Sequence, residues 1–306
     1  MIIGTRGSML ALWQTNWVKA ELEKSHPQLA IEIKIISTKG DRILDVSLPK
    51  LGEQGKGLFT KELEDAMYAG EIDLAVHSLK DLPTELPAGL TLGAICERED
   101  VRDAFIAAAG ISSFGTLPIG ARVGTSSLRR EAQLRALRPD LQIMPMRGNV
   151  DTRLRKLDEG QYDAIILAAA GLRRLGYASR ITEYLEADVM LSAVGQGALA
   201  VECREEDESV NRLLQPLNHQ PTRLACTAER SFLKGLGGGC LVPIAALCGV
   251  KTDELQLNGL VAKPDGSEMI SGNRRAKLED AELLGQLLAE DLLRRGAREL
   301  LAGNDE

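Results

Sequence analysis

Aromatic residues are scarce in this chain: two Trp, four Tyr and four Phe among 306 residues. Basic residues do not dominate either, with 37 Lys and Arg against 44 Asp and Glu and a net charge of −7. Base stacking and phosphate neutralisation therefore both lack material, and no nucleic-acid partner is expected. The three histidines (His26, His77, His219) are scattered. That excludes the common zinc spacings, and no metal is expected. Long apolar runs are missing as well. The longest uncharged stretch, Ala104 to Ala121, is broken by Gly110, Gly115, Pro118 and Gly120, which excludes a membrane span and predicts strand ends and turns. The leading MIIGTRGSMLALW carries Arg6 within its apolar residues and offers no small-residue cleavage site, so no signal peptide is expected. Five cysteines, an odd number without Cys-x-x-Cys pairing, fit reduced thiols in a cytoplasmic protein. No internal repeat or low-complexity segment is visible.

What remains is an ordinary globular composition, 44% hydrophobic and 26% charged, long enough for two domains or three smaller ones. Up to about residue 200, short apolar runs alternate with helical patterns. Ile31–Ile36 alternates like a strand, and Thr60–Ala69 is a capped helix ending at Gly70. Ile72–Val76 is a short strand that runs into His77-Ser78-Leu79-Lys80-Asp81. The scheme recurs at Ala121–Gly124, the helix Leu128–Leu137 and the strand within Ala164–Ala170. Such alternation predicts an α/β fold with largely parallel sheets and ligands beyond the carboxyl ends of the strands. Two hinge-like stretches, Cys96–Asp103 and Leu191–Val201, divide this region into two lobes with a cleft. The expected domains are 1–95 with 195–215, a middle lobe 96–194, and a small α+β domain 216–306. In the last of these, Pro221–Leu233 is a helix, Leu241–Leu247 a strand, and Pro264-Asp265-Gly266 a hairpin turn. A final helix over Glu279–Leu301 places Leu283, Leu284, Leu287, Leu288 and Leu292 on one face.

Charge is the most informative feature. Arg122–Lys156 holds nine cations against three acidic residues, and eight of the nine are Arg, the residue suited to bidentate carboxylate or phosphate binding. Ser126 and Ser127 open the helix carrying Arg129 and Arg130, so N–H groups, hydroxyls and guanidinia could converge on one anion; the bland alternative is a solvated helix face. Arg6, Ser8 and Lys56 extend the theme, although the GEQGKG around Lys56 lacks P-loop spacing. Phe59 is either a core residue or a flat contact for a ring. Asp81 is either a turn-capping residue or a carboxylate that stabilises a transient cation. Cys240 follows a run of glycines that would expose a thiol, whereas Cys96, Cys203, Cys226 and Cys248 sit in apolar or helical contexts and are expected to pack. These features fit a polyanionic small molecule as ligand. They leave open an enzyme or a non-enzymatic two-lobed carboxylate-binding or sensor protein.

The strings TRGSMLALWQ (5–14), GKGLFTKELE (55–64), DLAVHSLKDLPT (73–84), VGTSSLRR (123–130), RGNVDTRL (147–154), AVGQGALAVECR (193–204) and GGGCLVPI (237–244) run in order along the chain. In them the sequence resembles the porphobilinogen deaminase (hydroxymethylbilane synthase) family. The resemblance implies a cytoplasmic, monomeric transferase of tetrapyrrole biosynthesis with two periplasmic-binding-protein-like lobes and a small third domain. It would join four porphobilinogen molecules head to tail with loss of ammonia, then release 1-hydroxymethylbilane. It also implies a dipyrromethane cofactor held by a thioether to Cys240, and Asp81 as the catalytic residue. Arg6, Ser8, Lys80, Ser127, Arg129, Arg130, Arg147, Arg153 and Arg174 would bind carboxylates. Ser78 and Gln196 would join them at the cofactor, with Lys56 nearby and Phe59 against a ring.

Overall fold

The structure, a computed structural model, describes residues 1–42, 58–238 and 243–302. Two compact units form, one from Met1–Glu99 and Gly197–Arg223, the other from Asp100–Gln196 and Leu224–Glu306. The second unit contains both segments that the sequence suggests as separate middle and C-terminal domains.

In the first unit, β1 (Ile2–Thr5), α1 (Met9–Ser25), β2 (Glu32–Ile35), α2 (Lys39–Arg42), α3 (Lys61–Tyr68), β3 (Leu74–Ser78) and β4 (Leu90–Ile95) precede the excursion into the second unit. The strand that completes this sheet, Leu199–Arg204, comes after that excursion. In the second unit, β5 (Asp103–Ala107), β6 (Arg122–Gly124), α4 (Leu128–Leu137), β7 (Gln142–Met144), α5 (Val150–Asp158), β8 (Ala164–Ala168), α6 (Ala169–Arg174) and β9 (Glu183–Leu185) follow one another. Leu199–Arg204 is then β10, followed by α7 (Glu208–Leu214).

The two sheets have strand orders β2-β1-β3-β10-β4 and β7-β6-β8-β5-β9. In each, the first three strands are parallel and the fourth runs antiparallel to both its neighbours. Finer landmarks repeat too. Ile2 N donates to Asp73 Oδ2 at 2.7 Å, and Arg122 N donates to Asp163 Oδ2 at 2.7 Å. Ser8 caps α1 and Ser127 caps α4, each accepting a backbone N–H through its hydroxyl. Gln14 and Gln133 are buried in the second turns of those helices. The molecule therefore contains an internal duplication that the sequence does not show, because the two copies share topology and a few polar anchors but not their apolar residues. Ile72 and Tyr162, for instance, both lie buried just before the paired aspartates.

The remaining elements are α8 (Gln220–Gly235), the antiparallel sheet β11 (Ile244–Lys251), β12 (Glu254–Ala262) and β13 (Met269–Lys277), then α9 (Ala281–Leu292) and α10 (Arg298–Ala302). Their core joins Phe232, Leu257, Val261, Leu284, Leu288 and Leu292. The expected single terminal helix is interrupted at Leu293–Ala297, where Gly296 adopts φ +101°, a backbone angle that ends regular α-helix. Leu283, expected on the apolar face, is 48% exposed, while Leu284 and Leu288 next to it are buried. The β12–β13 turn lies directly on α4. A Cβ at Gly266 would stand 2.5 Å from the Ala132 carbonyl oxygen and 2.8 Å from Ala136 N, and φ there is +72°. Only glycine permits that approach.

Candidate active site

In the first unit the expected residues gather after β1 and β3, at the carboxyl ends of parallel strands. Leu79 anchors the turn after β3: its side chain is buried and its N–H donates to Ala198 O at 3.0 Å. Leu82 N closes the turn onto Leu79 O, and Pro83 prevents further helix. Held between these anchors, Asp81 is exposed and Lys80 half-buried. Ser8 and Ser78 are committed to the frame, since Ser8 Oγ accepts Ala11 N and Ser78 Oγ accepts Gln14 Nε2 at 2.9 Å. Phe59 is not a core residue. It is half-buried, with the Arg6 guanidinium 4.2 Å from its ring centroid, a cation–π contact that sets the direction of Arg6. Lys56 lies outside the described residues.

Behind this edge the first unit buries a titratable trio. His77 Nε2 stands 2.9 Å from Glu202 Oε2, both almost fully buried. The ring N–H is not aligned on the oxygen, so among the described residues neither Glu202 oxygen accepts a hydrogen bond. Glu64 on α3 is buried beside them. Burial pushes its carboxyl above the usual range, and the Glu202 charge adds to this.

In the second unit the basic segment separates into two kinds of residue. Arg122, Arg135, Arg138 and Arg155 form local ion pairs with Asp163, Glu131, Asp140 and Glu159. Arg129 and Arg130 instead turn inward, at 5% and 6% exposure, onto Asp103, which is fully buried. Arg129 Nη1 donates to Asp103 Oδ2 and to Leu191 O, both at 2.7 Å. Arg130 donates through Nε and Nη2 to Asp103 Oδ1 at 3.0 and 2.7 Å, and through Nη1 to Ile166 O at 3.0 Å. Burial pushes the Asp103 carboxyl up, but the two guanidinia more than reverse this and hold it well below the usual carboxylate range. Burial lowers the Arg129 pKa even with Asp103 beside it.

At the start of α4 the polar groups turn to partners within the protein. Ser126 bonds to the Met146 backbone, Ser127 caps α4, and both arginines point into the protein. Gln196, expected at the cofactor, is fully buried and donates to Val101 O at 2.8 Å and Asp103 Oδ1 at 3.0 Å. Arg147 and Arg174 are half-buried, and Arg153 Nε donates to Gly148 O at 2.7 Å. Two buried guanidinium nitrogens, Arg129 Nε and Arg147 Nη1, have no acceptor among the described residues. Asp103 is the residue that sequence reasoning missed; an acid opening an otherwise apolar strand was the available signal. Cys240 lies outside the described residues. Cys96, Cys203, Cys226 and Cys248 are buried and form no disulfide among the described residues, as their contexts suggest.

Residues 1–212 match the family described as "Porphobilinogen deaminase, dipyromethane cofactor binding domain", and residues 223–294 match "Porphobilinogen deaminase, C-terminal domain". The porphobilinogen deaminase of Carboxydothermus hydrogenoformans is 54% identical over 98% of this chain and 96% of its own length. That of Roseiflexus sp. is 55% identical over 99% of both. Among solved structures, a periplasmic substrate-binding protein of an ABC transporter from Coxiella burnetii covers 75% of this chain and 96% of its own at 14% identity and a TM-score of 0.43. No helix among the described residues is long and apolar enough to cross a membrane. From end to end, therefore, the chain belongs to the porphobilinogen deaminase family, transferases of tetrapyrrole biosynthesis that condense porphobilinogen on a dipyrromethane cofactor.

Proposed function

We propose that Asp81 is the catalytic carboxylate of this hydroxymethylbilane synthase, that Cys240 holds the dipyrromethane through a thioether, and that the arginines of the second unit bind its carboxylates. The residues present fit that group. Its acetate and propionate arms need buried or half-buried guanidinia, and Arg129 and Arg147 each offer a buried donor that lacks an acceptor. Arg153, Arg174, Arg6 and Lys80 would add further positive charge, with Lys56 beside them. When bound, the dipyrromethane supplies the pyrrole carbon to which substrate is joined. A thioether is the suitable tether, because its C–S bond is not hydrolysed at neutral pH.

Asp81 carries the proposal because it is an exposed carboxylate rigidly placed at the carboxyl end of a parallel strand. Porphobilinogen loses its aminomethyl nitrogen as ammonia and becomes a cationic methylene-pyrrolenine. A carboxylate oxygen facing that ring's N–H stabilises the cation and can hold the proton released when the new bond forms. Lys80 beside it keeps a positive charge near the substrate carboxylates. The test is Asp81→Asn. Turnover should fall by about 10²- to 10⁴-fold while the circular dichroism and the cofactor mass stay those of the parent; near-parental turnover removes Asp81 from the chemistry.

The same proposal places the protein in the cytoplasm as a monomer. Four buried cysteines that form no disulfide among the described residues support a reducing compartment. The three separate sheets support a division into 1–95 with 195–215, 96–194 and 216–306.

A further inference from the structure

Asp103 lies at the ligand end of the second sheet. It pairs in register with Ala168, the last residue of β8. One of its oxygens, Oδ1, accepts from Arg130 Nε, Arg130 Nη2 and Gln196 Nε2, and the other accepts from Arg129 Nη1. Arg129 is consequently gripped by one nitrogen only. That nitrogen is shared between Asp103 and the Leu191 carbonyl, which Gln133 fixes in turn through Leu191 N and O. The other edge of the guanidinium, Nε with Nη2, is the edge that takes a carboxylate side-on with two parallel bonds. Among the described residues it makes no hydrogen bond, and its Nε is buried. Two guanidinia against one carboxylate also leave a single positive charge in a nearly water-free place.

We propose that Asp103 is a positioning residue for carboxylate recognition: it anchors Arg129 by Nη1 so that the Nε–Nη2 edge faces a ligand carboxylate, and it trims the Arg129–Arg130 pair to one net charge. The inference rests on the assignment of Arg129 to carboxylate binding given above. It makes the β5 acid part of the specificity apparatus although it touches no ligand itself. A site with one net charge and one free bidentate edge takes one carboxylate, with the planar geometry that lysine lacks.

The experiment compares Asp103→Asn, Asp103→Glu and Arg129→Ala with the parent, using protein shown to be folded by circular dichroism. The Michaelis constant for porphobilinogen is measured per cofactor-loaded molecule. Loading of the apo-protein by porphobilinogen is followed by intact mass. Asp103→Asn should raise KM at least tenfold, leave kcat within about threefold, and slow loading in parallel, as expected when binding common to ground and transition states is lost. Asp103→Glu keeps the charge but displaces the carboxylate by a methylene, and should still raise KM at least fivefold; it decides the matter if the Asn variant does not fold. Parental KM in the folded variants, whatever their kcat, overturns the proposal and leaves Asp103 a purely structural ion. Arg129→Ala separates the two levels. A raised KM there with parental KM at Asp103 rejects only the positioning role, whereas parental KM in Arg129→Ala rejects the carboxylate assignment itself.

Discussion

The two five-stranded sheets share strand order, direction, helix caps and paired aspartates, yet they bury opposite chemistry. The first encloses two carboxylates and a histidine, Glu64, Glu202 and His77; the second encloses two arginines on one carboxylate, Arg129 and Arg130 on Asp103. Depth differs as well. Asp103 faces the last residue of β8, whereas Glu202 pairs with Ala75, the second residue of β3. The shared frame thus fixes where strands end and helices begin, while the charged groups buried within it differ. In the first unit the exposed group is an acid, Asp81, suited to cation and proton chemistry. In the second, Arg129 Nε is a buried donor without an acceptor among the described residues.

The sharpest way to break this division is to neutralise one acid in each unit. Asp81→Asn should lower kcat by about 10²- to 10⁴-fold with the unfolding midpoint little changed. Asp103→Asn should do the reverse in stability, costing about 3–5 kcal/mol because two buried guanidinia lose their counter-ion, as read from urea denaturation. If both variants lost stability and neither lost turnover, the division of labour would be wrong.

Next in size is the contact of the C-terminal hairpin with α4. Gly266→Ala should cost about 1–3 kcal/mol, since the new methyl meets the α4 backbone. An unchanged midpoint in thermal unfolding would show that the hairpin does not support the arginine-bearing helix.

The smallest effect concerns pH, where the two buried sets should respond with opposite sign. The folded-state pKa of Glu64 is raised, so the stability it provides is lost as pH rises from the ordinary carboxylate range through the raised value. Glu64→Gln should therefore be more stable than the parent above that window and equal to it below. Asp103 is held low, so its contribution is present at neutral pH and is lost only as pH falls below the ordinary carboxylate range. Urea midpoints for the parent and Glu64→Gln across acidic to neutral pH check the sign; a less stable Gln variant at neutral pH contradicts it.

Local structure was largely legible because it is written in local signals. Leu128–Leu137 is helical over the span its sequence suggests, and Pro264-Asp265-Gly266 turns between β12 and β13. The kink at Gly296 was missed because the leucine pattern continues on its amino-terminal side, although Leu283 falls outside the buried stripe. The family was legible from motifs spread along the whole chain. The surroundings of the site residues were not. Nothing near Arg129 and Arg130 announces that Asp103, at the start of β5, would draw both inward, or that Gln196 would serve the same carboxylate. Those are long-range pairings, set by which strands become neighbours. The duplication was hidden for a related reason, since Ile72 and Tyr162 keep a buried position without keeping the residue or its volume.

The most direct test of the central claim is the intact mass of the purified protein under denaturing conditions, followed by peptide mapping. The account predicts an increment of two linked pyrrole units on the peptide containing Cys240. A chain that remains unmodified after incubation with porphobilinogen, or that carries the increment on another residue, contradicts it.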